Sequence, residues 1–391
     1  MKKLMEVVQV ADVKSDTEIS SVVFNTTPTN MREAPLFFGD ALNVQRLDLP
    51  VEQWLQKHTT EALGFMWFKT DFNYSQDNLD YCTKMSPDLQ NLFTKNLKFQ
   101  TLLDSVAGRT ISQVFMPIVS SSALEEWFGV HAFFEANVHS PAYAELVKAV
   151  VPNSTKIFDD IMVNPAIIGR AKDIVIHYDL LHSYNVKRNA LRLGLIGEYQ
   201  YSEREHKKAF IMALTALNVL EGVLFYSSFL ISFAFSENKL MESSAKCISK
   251  IAQDENMHLA FGQYIFNRLK KLDEYKELFV ELRPQIESVF KNASDAEDLW
   301  ISYLFEDNPP LLGINEAILQ EYKKFNIHRR MTALGLTPMF AKTENPCTWS
   351  TRYLSTSANQ NANQESDNAD YLLGAIHQDM NTNDFDSLLD L

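Results

Sequence analysis

Residues 209–235, AFIMALTALNVLEGVLFYSSFLISFAF, are apolar on every side of a helical wheel, yet they contain one ionisable residue, Glu221, near the centre. By length the segment could span a bilayer. The alternative is a helix buried on all faces inside a large helical bundle. A lone carboxylate in such surroundings is costly unless a proton, a cation or a metal compensates it. The segment therefore predicts a buried acidic site, and other residues of the chain must point at Glu221.

The distribution of proline predicts long helices elsewhere in the chain. None of the 13 Pro lies between Pro165 and Pro284, and the 391 residues include only 12 Gly. A long run without Pro, poor in Gly and rich in Leu, Ala, Glu and Lys, favours helices over strands. The expected fold class is therefore all-α.

Charge and cysteine content limit the classes of function. A formal net charge of −14 argues against a nucleic-acid or anionic-membrane surface. The last 27 residues hold seven Asp or Glu and no Lys or Arg, so much of this charge belongs to the tail. Three Cys at unrelated spacings match no zinc or disulfide pattern and suit a reducing compartment. We expect a cytoplasmic protein that binds neither nucleic acid nor membrane.

The sequence divides into three parts. Residues 1–50 are predicted to form an N-terminal arm, residues 51–340 a helical domain, and residues 341–391 a flexible C-terminal tail. Within the domain, Ser86-Pro87-Asp88 reads as a helix start, and a break is expected over residues 71–81. Further helices are predicted in five regions: residues 156–200, 203–236, 239–272, 275–305 and 313–334.

Four of the predicted helical segments contain residues that bind metal ions in other proteins. Side chains three or four positions apart share one face of a helix, so two Glu/His pairs facing two single carboxylates form a dinuclear site. The candidate ligands are Asp104, Glu135 with His139, Glu221, and Glu255 with His258. This arrangement predicts a ferritin-like helical bundle with a dimetal-carboxylate site in its core.

Four carboxylates and two imidazoles suit iron, with manganese or a mixture of the two as alternatives. About four negative charges would neutralise two divalent ions, which explains how so many acids persist in an apolar core. A single Glu-x-x-His pair more often lies on a solvated helix face, and Asp104 alone would suit an ordinary capping acid. The metal interpretation depends on all four segments occurring together.

Tyr143 follows His139 by four residues, which places it one helical turn further along. It is expected to lie beside the metals. Without the neighbouring ligands, a core aromatic would be the simpler interpretation.

Several motifs in order along the chain resemble the small, radical-bearing subunit of class I ribonucleotide reductase. The similar segments are APLFFGDALNVQRLD, NLKFQTLLDSVAGR, HSPAY, NVLEGVLFYSSF, ENKLMESSAKCISKIAQDENMH and ESDNADYLLGAI. No one of them is specific alone, but together they extend over nearly the whole chain.

The resemblance implies a function for the chain as a whole. The dimetal centre would react with O2 to form a stable tyrosyl radical. This radical would then pass to a large catalytic subunit, which converts ribonucleoside diphosphates to deoxyribonucleotides. The resemblance also implies a homodimer.

The resemblance further assigns individual roles. Tyr143 would carry the radical. Trp67 and Asp254, with His139, would begin the route along which it leaves. Tyr371 and Glu365 would relay it from the tail, whose final residues DFDSLLDL would dock on the large subunit.

This chain departs from the family pattern at two places. The first Glu/His pair has one extra residue, as Glu135-Ala-Asn-Val-His139, and Pro141 follows just beyond. Because a π-bulge absorbs a single inserted residue, we predict such a bulge here rather than an unbroken α-helix. Gln253 stands where the family pattern has Arg, so the hydrogen bonds behind Asp254 are expected to differ.

Two other functions explain part of the pattern. A stand-alone ferritin-like diiron oxidase or hydroxylase would use the same ligands, but it does not account for Tyr371 and the acidic tail. A non-catalytic iron-binding protein explains neither the tail nor Tyr143.

Overall fold

The structure, a computed structural model, describes residues 23–26, 30, 32–49, 51–306, 310–311 and 313–355. Its architecture is all-α, as predicted. The α-helices are α1 (Gln53–Gly64), α2 (Ser75–Thr83), α3 (Pro87–Thr110), α4 (Ser122–Phe133), α5 (Ser140–Val150), α6 (Ser154–Ile161), α7 (Pro165–Arg192), α8 (Glu203–Val219), α9 (Phe225–Glu237), α10 (Glu242–Lys271), α11 (Asp273–Phe305), α12 (Glu316–Ala333) and α13 (Thr351–Leu354). Three π-helical turns interrupt them, at Ile111–Phe115, Phe134–His139 and Leu220–Leu224.

Helix starts follow the chemistry of their first residues. At α3 the Ser86 hydroxyl accepts a hydrogen bond from the Leu89 amide at 3.3 Å, and Pro87 occupies the first turn. The predicted start of this helix is therefore confirmed. Asn164 and Asn315 cap α7 and α12 in the same way, through side-chain oxygens that accept from backbone amides.

Two predictions at this level were wrong. The helix predicted over residues 156–200 is divided into α6 and α7 and ends at Arg192. The expected break over residues 71–81 contains α2, a short and largely polar helix. Its Asp77 is buried and accepts hydrogen bonds from the amides of Ser243 and Ser244, at 3.2 and 2.6 Å. Asp77 thus caps the start of α10. A tertiary contact, rather than an apolar stripe, fixes this helix against the body.

The apolar segment that opened the sequence lies at the centre of the bundle. It forms the end of α8, the π-helical turn Leu220–Leu224 and most of α9, and each of its residues is buried. The helical run Glu198–Glu237 is long and apolar enough to cross a bilayer, but its most apolar window is wholly enclosed by the protein. Of the two interpretations offered by the sequence, the structure shows the buried core helix.

The described ends of the chain pack on this body. The Phe38 amide donates to the Ile118 carbonyl at 2.8 Å, which holds part of the N-terminal arm. At the other end, the Tyr353 ring stacks on Phe233 with centroids 4.5 Å apart, and the Asn256 side chain donates to the Leu354 carbonyl at 3.1 Å. The division into arm, domain and tail stays a prediction.

Candidate metal centre

Four elements bring the predicted ligands to one place in the core. Asp104 lies on α3, Glu135 and His139 lie on the π-helical turn between α4 and α5, Glu221 lies on the turn between α8 and α9, and Glu255 and His258 lie on α10. All six side chains are buried. The sequence had assigned these residues to four helices, and the structure places them together.

The ligand atoms form two groups. Within each group, every residue offers one ligand atom, and these atoms lie within 4.8 Å of one another. The first group consists of Asp104, Glu135, His139 and Glu255, and the second consists of His131, Glu135, Glu221 and His258. Glu135 belongs to both groups. Such a pair of sites joined by a shared carboxylate is the arrangement expected for two metal ions side by side.

Two carboxylates are placed to bridge the positions. Glu135 has Oε2 at 3.7 Å from His139 Nδ1 and Oε1 at 3.0 Å from His258 Nδ1. Glu255 repeats the pattern, with Oε1 at 3.3 Å from His139 Nδ1 and Oε2 at 2.8 Å from His258 Nδ1. Each carboxylate therefore turns one oxygen toward each histidine.

The predicted π-bulge is confirmed. Phe134–His139 is a π-helical turn, and α5 resumes at Ser140 with Pro141 in its first turn. The wider turn takes up the additional residue between Glu135 and His139, so both side chains face the site. Pro141 has no N–H to donate to Asn137, and the wide turn lies where that bond would be missing.

A second π-helical turn presents Glu221, and two buried arginines hold its backbone. Arg330 Nε donates to the Gly222 carbonyl at 3.0 Å, and an Arg170 guanidinium nitrogen donates to the Leu224 carbonyl at 2.7 Å. Arg170 also pairs with buried Glu297. Because a π-helical turn disturbs the regular ladder of hydrogen bonds, these donors stabilise carbonyls that the helix itself satisfies less well.

The electrostatics of the site call for positive charge. Burial raises the pKa of Asp104 to about 8, and it raises the pKa of Glu255 well above its ordinary value, with the Glu135 carboxylate adding to both effects. Burial would also raise the pKa of Glu135, but the facing histidines outweigh it and hold that pKa well below its usual range. Ionised carboxylates at this depth need cations.

Carboxylate oxygens without hydrogen-bond partners also indicate that the site needs cations. Both oxygens of Glu221 and both of Glu135 make no hydrogen bond within the described part of the chain, and the same holds for Asp104 Oδ2 and Glu255 Oε1. Buried polar atoms are nearly always hydrogen-bonded, so six orphaned carboxylate oxygens at one point require another partner. The residues present therefore fit a dinuclear metal group.

Tyr143 is fully buried, and its hydroxyl has no hydrogen-bond partner among the described residues. Burial raises the pKa of the phenol well above its ordinary value, and the nearby carboxylates of Asp104 and Glu255 add to the effect. The side chain is thus a neutral phenol shielded from water, close to the acids of the site.

A series of hydrogen-bonded side chains extends from the site to the buried Trp67. His139 Nε2 lies 3.0 Å from Asp254 Oδ2, and the same oxygen accepts a 2.7 Å hydrogen bond from Trp67 Nε1. A metal ion bound at Nδ1 would leave the His139 ring proton on Nε2, where it can be donated to Asp254. Gln253, beside it, makes long contacts of 3.4 Å to the carbonyls of Tyr353 and Ser355.

One residue of the candidate site, His131, was not predicted from the sequence, and it completes the second ligand group. A usable signal was present, because His131 precedes Glu135 by four residues, as Glu135 precedes His139. Two expected residues, Glu365 and Tyr371, lie outside the described residues.

Comparisons with known proteins agree with this geometry. Residues 50–346 match the family described as ribonucleotide reductase, small chain. Ribonucleoside-diphosphate reductase subunit beta of Buchnera aphidicola subsp. Schizaphis graminum is 34% identical over 384 residues, which cover 94% of this chain and 99% of the relative. The subunit beta of Haemophilus influenzae is 35% identical over 375 residues, covering 93% and 98%.

Solved structures share the fold. The ribonucleotide reductase R2 subunit from Clostridium botulinum matches with a TM-score of 0.71 at 20% identity, covering 86% of this chain and 99% of the other. The dimanganese(II)-NrdF of Streptococcus sanguinis matches with a TM-score of 0.58 at 20% identity, covering 81% and 99%. The chain belongs to the small-chain family of ribonucleotide reductases, because the family matches most of its length and relatives are more than 30% identical to it.

Proposed function

We propose that this chain generates and stores the tyrosyl radical of a ribonucleoside-diphosphate reductase and acts only together with the large catalytic subunit. The observation that carries the proposal is the pair of ligand groups sharing Glu135, with the buried phenol of Tyr143 beside Asp104. The family match and the names of the relatives support the same activity. The stand-alone oxidase gains no support from these comparisons.

The dinuclear centre would be held by Asp104, Glu135, His139, Glu221, Glu255 and His258. Four carboxylates balance the charge of two divalent ions, and open coordination positions suit a reaction with O2. When bound, two redox-active divalent ions would donate electrons to O2, and the reduction of O2 would provide the oxidising power needed to remove an electron from a phenol. Iron is the proposed metal. Manganese is the alternative, since a protein of the same fold contains two Mn(II) ions.

Tyr143 would be the residue oxidised. Loss of one electron from a phenol releases its O–H proton, so a base must lie within reach. The Asp104 carboxylate is close enough to influence the phenol and is the proposed acceptor. Complete burial excludes water from the ring, and this exclusion would protect the resulting radical from reduction.

The radical would leave through His139, Asp254 and Trp67, the three side chains joined by hydrogen bonds. Asp254 Oδ2 contacts both Trp67 Nε1 and His139 Nε2. The carboxylate can therefore hold the indole N–H and the imidazole nitrogen at a fixed distance from each other. Tyr371 and Glu365 of the tail would continue the route to the large subunit, on which residues 384–391 would dock. We further propose a homodimer located in the cytoplasm.

Electron paramagnetic resonance tests this function. Metal-free protein is reconstituted with Fe(II) and O2, as wild type, Tyr143→Phe and Tyr178→Phe. Tyr178 is a matched control because it too is buried, with a hydroxyl that lacks a partner among the described residues. We expect a tyrosyl doublet in the wild type and in Tyr178→Phe and none in Tyr143→Phe. A signal that persists in Tyr143→Phe would show that the radical forms on another residue. Metal uptake without any radical would favour manganese or a separate activator.

A further inference from the structure

A third imidazole, that of His131 on α4, points into the candidate metal centre. We propose that His131 is a metal ligand, and that it shares one of the two metal positions with Glu135, Glu221 and His258. The proposal rests on the dinuclear centre described above, and it adds a seventh side chain to the six that the sequence pattern predicts.

The described residues provide no hydrogen-bond partner for either ring nitrogen of His131. His131 is fully buried, and neither Nδ1 nor Nε2 makes a hydrogen bond within the described part of the chain. Buried ring nitrogens are almost always satisfied, so this pair requires an explanation. The rings of Trp127 and His258 lie beside it, with centroids at 5.9 and 3.8 Å, but these contacts use the faces of the imidazole and leave its nitrogens free.

The spacing of the polar atoms suits a common ion better than direct hydrogen bonds. His131 Nε2 lies 3.5 Å from Glu221 Oε1 and 3.6 Å from Glu135 Oε1. These distances are long for hydrogen bonds. Atoms bound to one ion at about 2.1 Å are separated by about 3.0–3.4 Å for octahedral or tetrahedral coordination. His131, Glu135, Glu221 and His258 offer such atoms within 4.8 Å of one another.

The added imidazole makes the two positions chemically unequal. One group then has a single imidazole, that of His139, and the other has two, those of His131 and His258. Imidazole suits iron, copper, nickel and zinc, whereas carboxylate-rich sites suit manganese and magnesium. The position that includes His131 is therefore expected to discriminate more strongly against Mn(II) than its neighbour does.

Cobalt(II) binding provides a test that does not depend on activity. Wild type, His131→Leu and the control His206→Leu are titrated with Co(II) in the absence of O2, and binding is followed by visible absorption and by metal analysis. His206 is a buried histidine hydrogen-bonded to Asn185 at 2.8 Å, outside the ligand groups. We expect two ions per chain in the wild type and the control, and a loss of roughly tenfold or more in one of the two affinities in His131→Leu.

Diffraction at the cobalt edge from wild-type crystals keeps the proposal testable if His131→Leu fails to fold. The expected result is His131 Nε2 at about 2.1 Å from one ion. An imidazole outside coordination distance, or unchanged affinities in His131→Leu, would overturn the role of His131 while leaving the dinuclear centre intact. Fewer than two ions per wild-type chain would instead overturn the dinuclear centre, and the proposed function with it.

Discussion

Trp67 Nε1 donates a 2.7 Å hydrogen bond to Asp254 Oδ2, although the two residues are 187 positions apart in the sequence. The same carboxylate oxygen contacts His139 Nε2, and the Trp67 and His139 rings lie nearly parallel, with an interplanar angle of 20° and centroids 6.1 Å apart. One carboxylate therefore connects the buried indole of Trp67 to an imidazole of the candidate metal centre.

Replacing Trp67 with Phe should uncouple radical formation from turnover. The variant keeps an aromatic ring but loses the N–H that Asp254 accepts. We expect unchanged metal content and a loss on the order of a hundredfold in reductase rate with the large subunit, comparable to the removal of a positioned proton-transfer group. Trp54→Phe is the control, since Trp54 stacks on His58 and Tyr264 and is not one of the hydrogen-bonded residues Trp67, Asp254 and His139. A Trp67→Phe rate within twofold of wild type would exclude the route.

Deleting residues 365–391 should abolish turnover while leaving the metal centre undisturbed. The deletion removes Glu365, Tyr371 and the acidic final residues, but none of the described core. We expect full metal loading and full radical yield, with no reductase activity when the large subunit is added. A peptide of residues 384–391 should also inhibit the full-length protein by competition. Normal turnover by the truncated chain would refute both the relay and the docking role of the tail.

Gly108→Ala should weaken metal binding. A Cβ atom at this position would lie 3.2 Å from Glu135 Cβ and 3.4 Å from the Ala136 amide nitrogen, so the π-helical turn would have to shift. Gly129→Ala is a matched control in a neighbouring helix, because a Cβ there meets nothing within 4 Å.

Replacing Gly with Ala inside a helix normally stabilises by about 0.5–1 kcal/mol. We therefore expect Gly129→Ala to raise the free energy of unfolding, and Gly108→Ala to lower Co(II) affinity several-fold without that gain. Equal metal affinity in the two variants would show that the turn tolerates the added methyl group.

His58 should make the fold sensitive to acid. Burial lowers its pKa from 6.5 to about 4, although the 2.9 Å hydrogen bond to the Met257 carbonyl partly opposes the effect. Because the folded-state pKa lies below the unfolded value, the neutral ring contributes its full stability above pH 6.5. That contribution is lost as the pH falls toward 4.

Between pH 8 and pH 5, the contribution of His58 to the free energy of unfolding should fall by about 2 kcal/mol. Urea unfolding of metal-free wild type and His58→Phe at both pH values measures it. Acids of the metal centre titrate in both proteins, so their effect cancels in the comparison. The variant should lose less stability than wild type on acidification, and equal losses would show that His58 does not titrate on unfolding.

Much of this protein was predictable from local sequence. Pro-free stretches with helical periodicity located the long helices, because a helix satisfies its backbone internally and needs only an apolar stripe for packing. An apolar run around Glu221 indicated a buried carboxylate, and the added residue before His139 together with Pro141 indicated a π-helical turn, as the structure confirms. These are consequences of spacing along one element.

The remaining features arise only when elements meet. The helix α2 has no apolar stripe of its own, and the capping bonds from Asp77 to the start of α10 hold it in place. The π-helical turns at Ile111–Phe115 and Leu220–Leu224 were not predicted, and the latter is held by Arg170 and Arg330 from distant helices.

The position of His131 shows the same division between sequence and tertiary structure. On its own helix His131 is an ordinary histidine four residues before a glutamate. It becomes a candidate ligand only because α10 brings His258 against its ring and the turn after α8 brings Glu221 within 3.5 Å. Spacing along one helix determines which side chains share a face. The packing of helices far apart in the sequence determines which faces meet, and in this protein that packing sets the number of nitrogens facing each metal position.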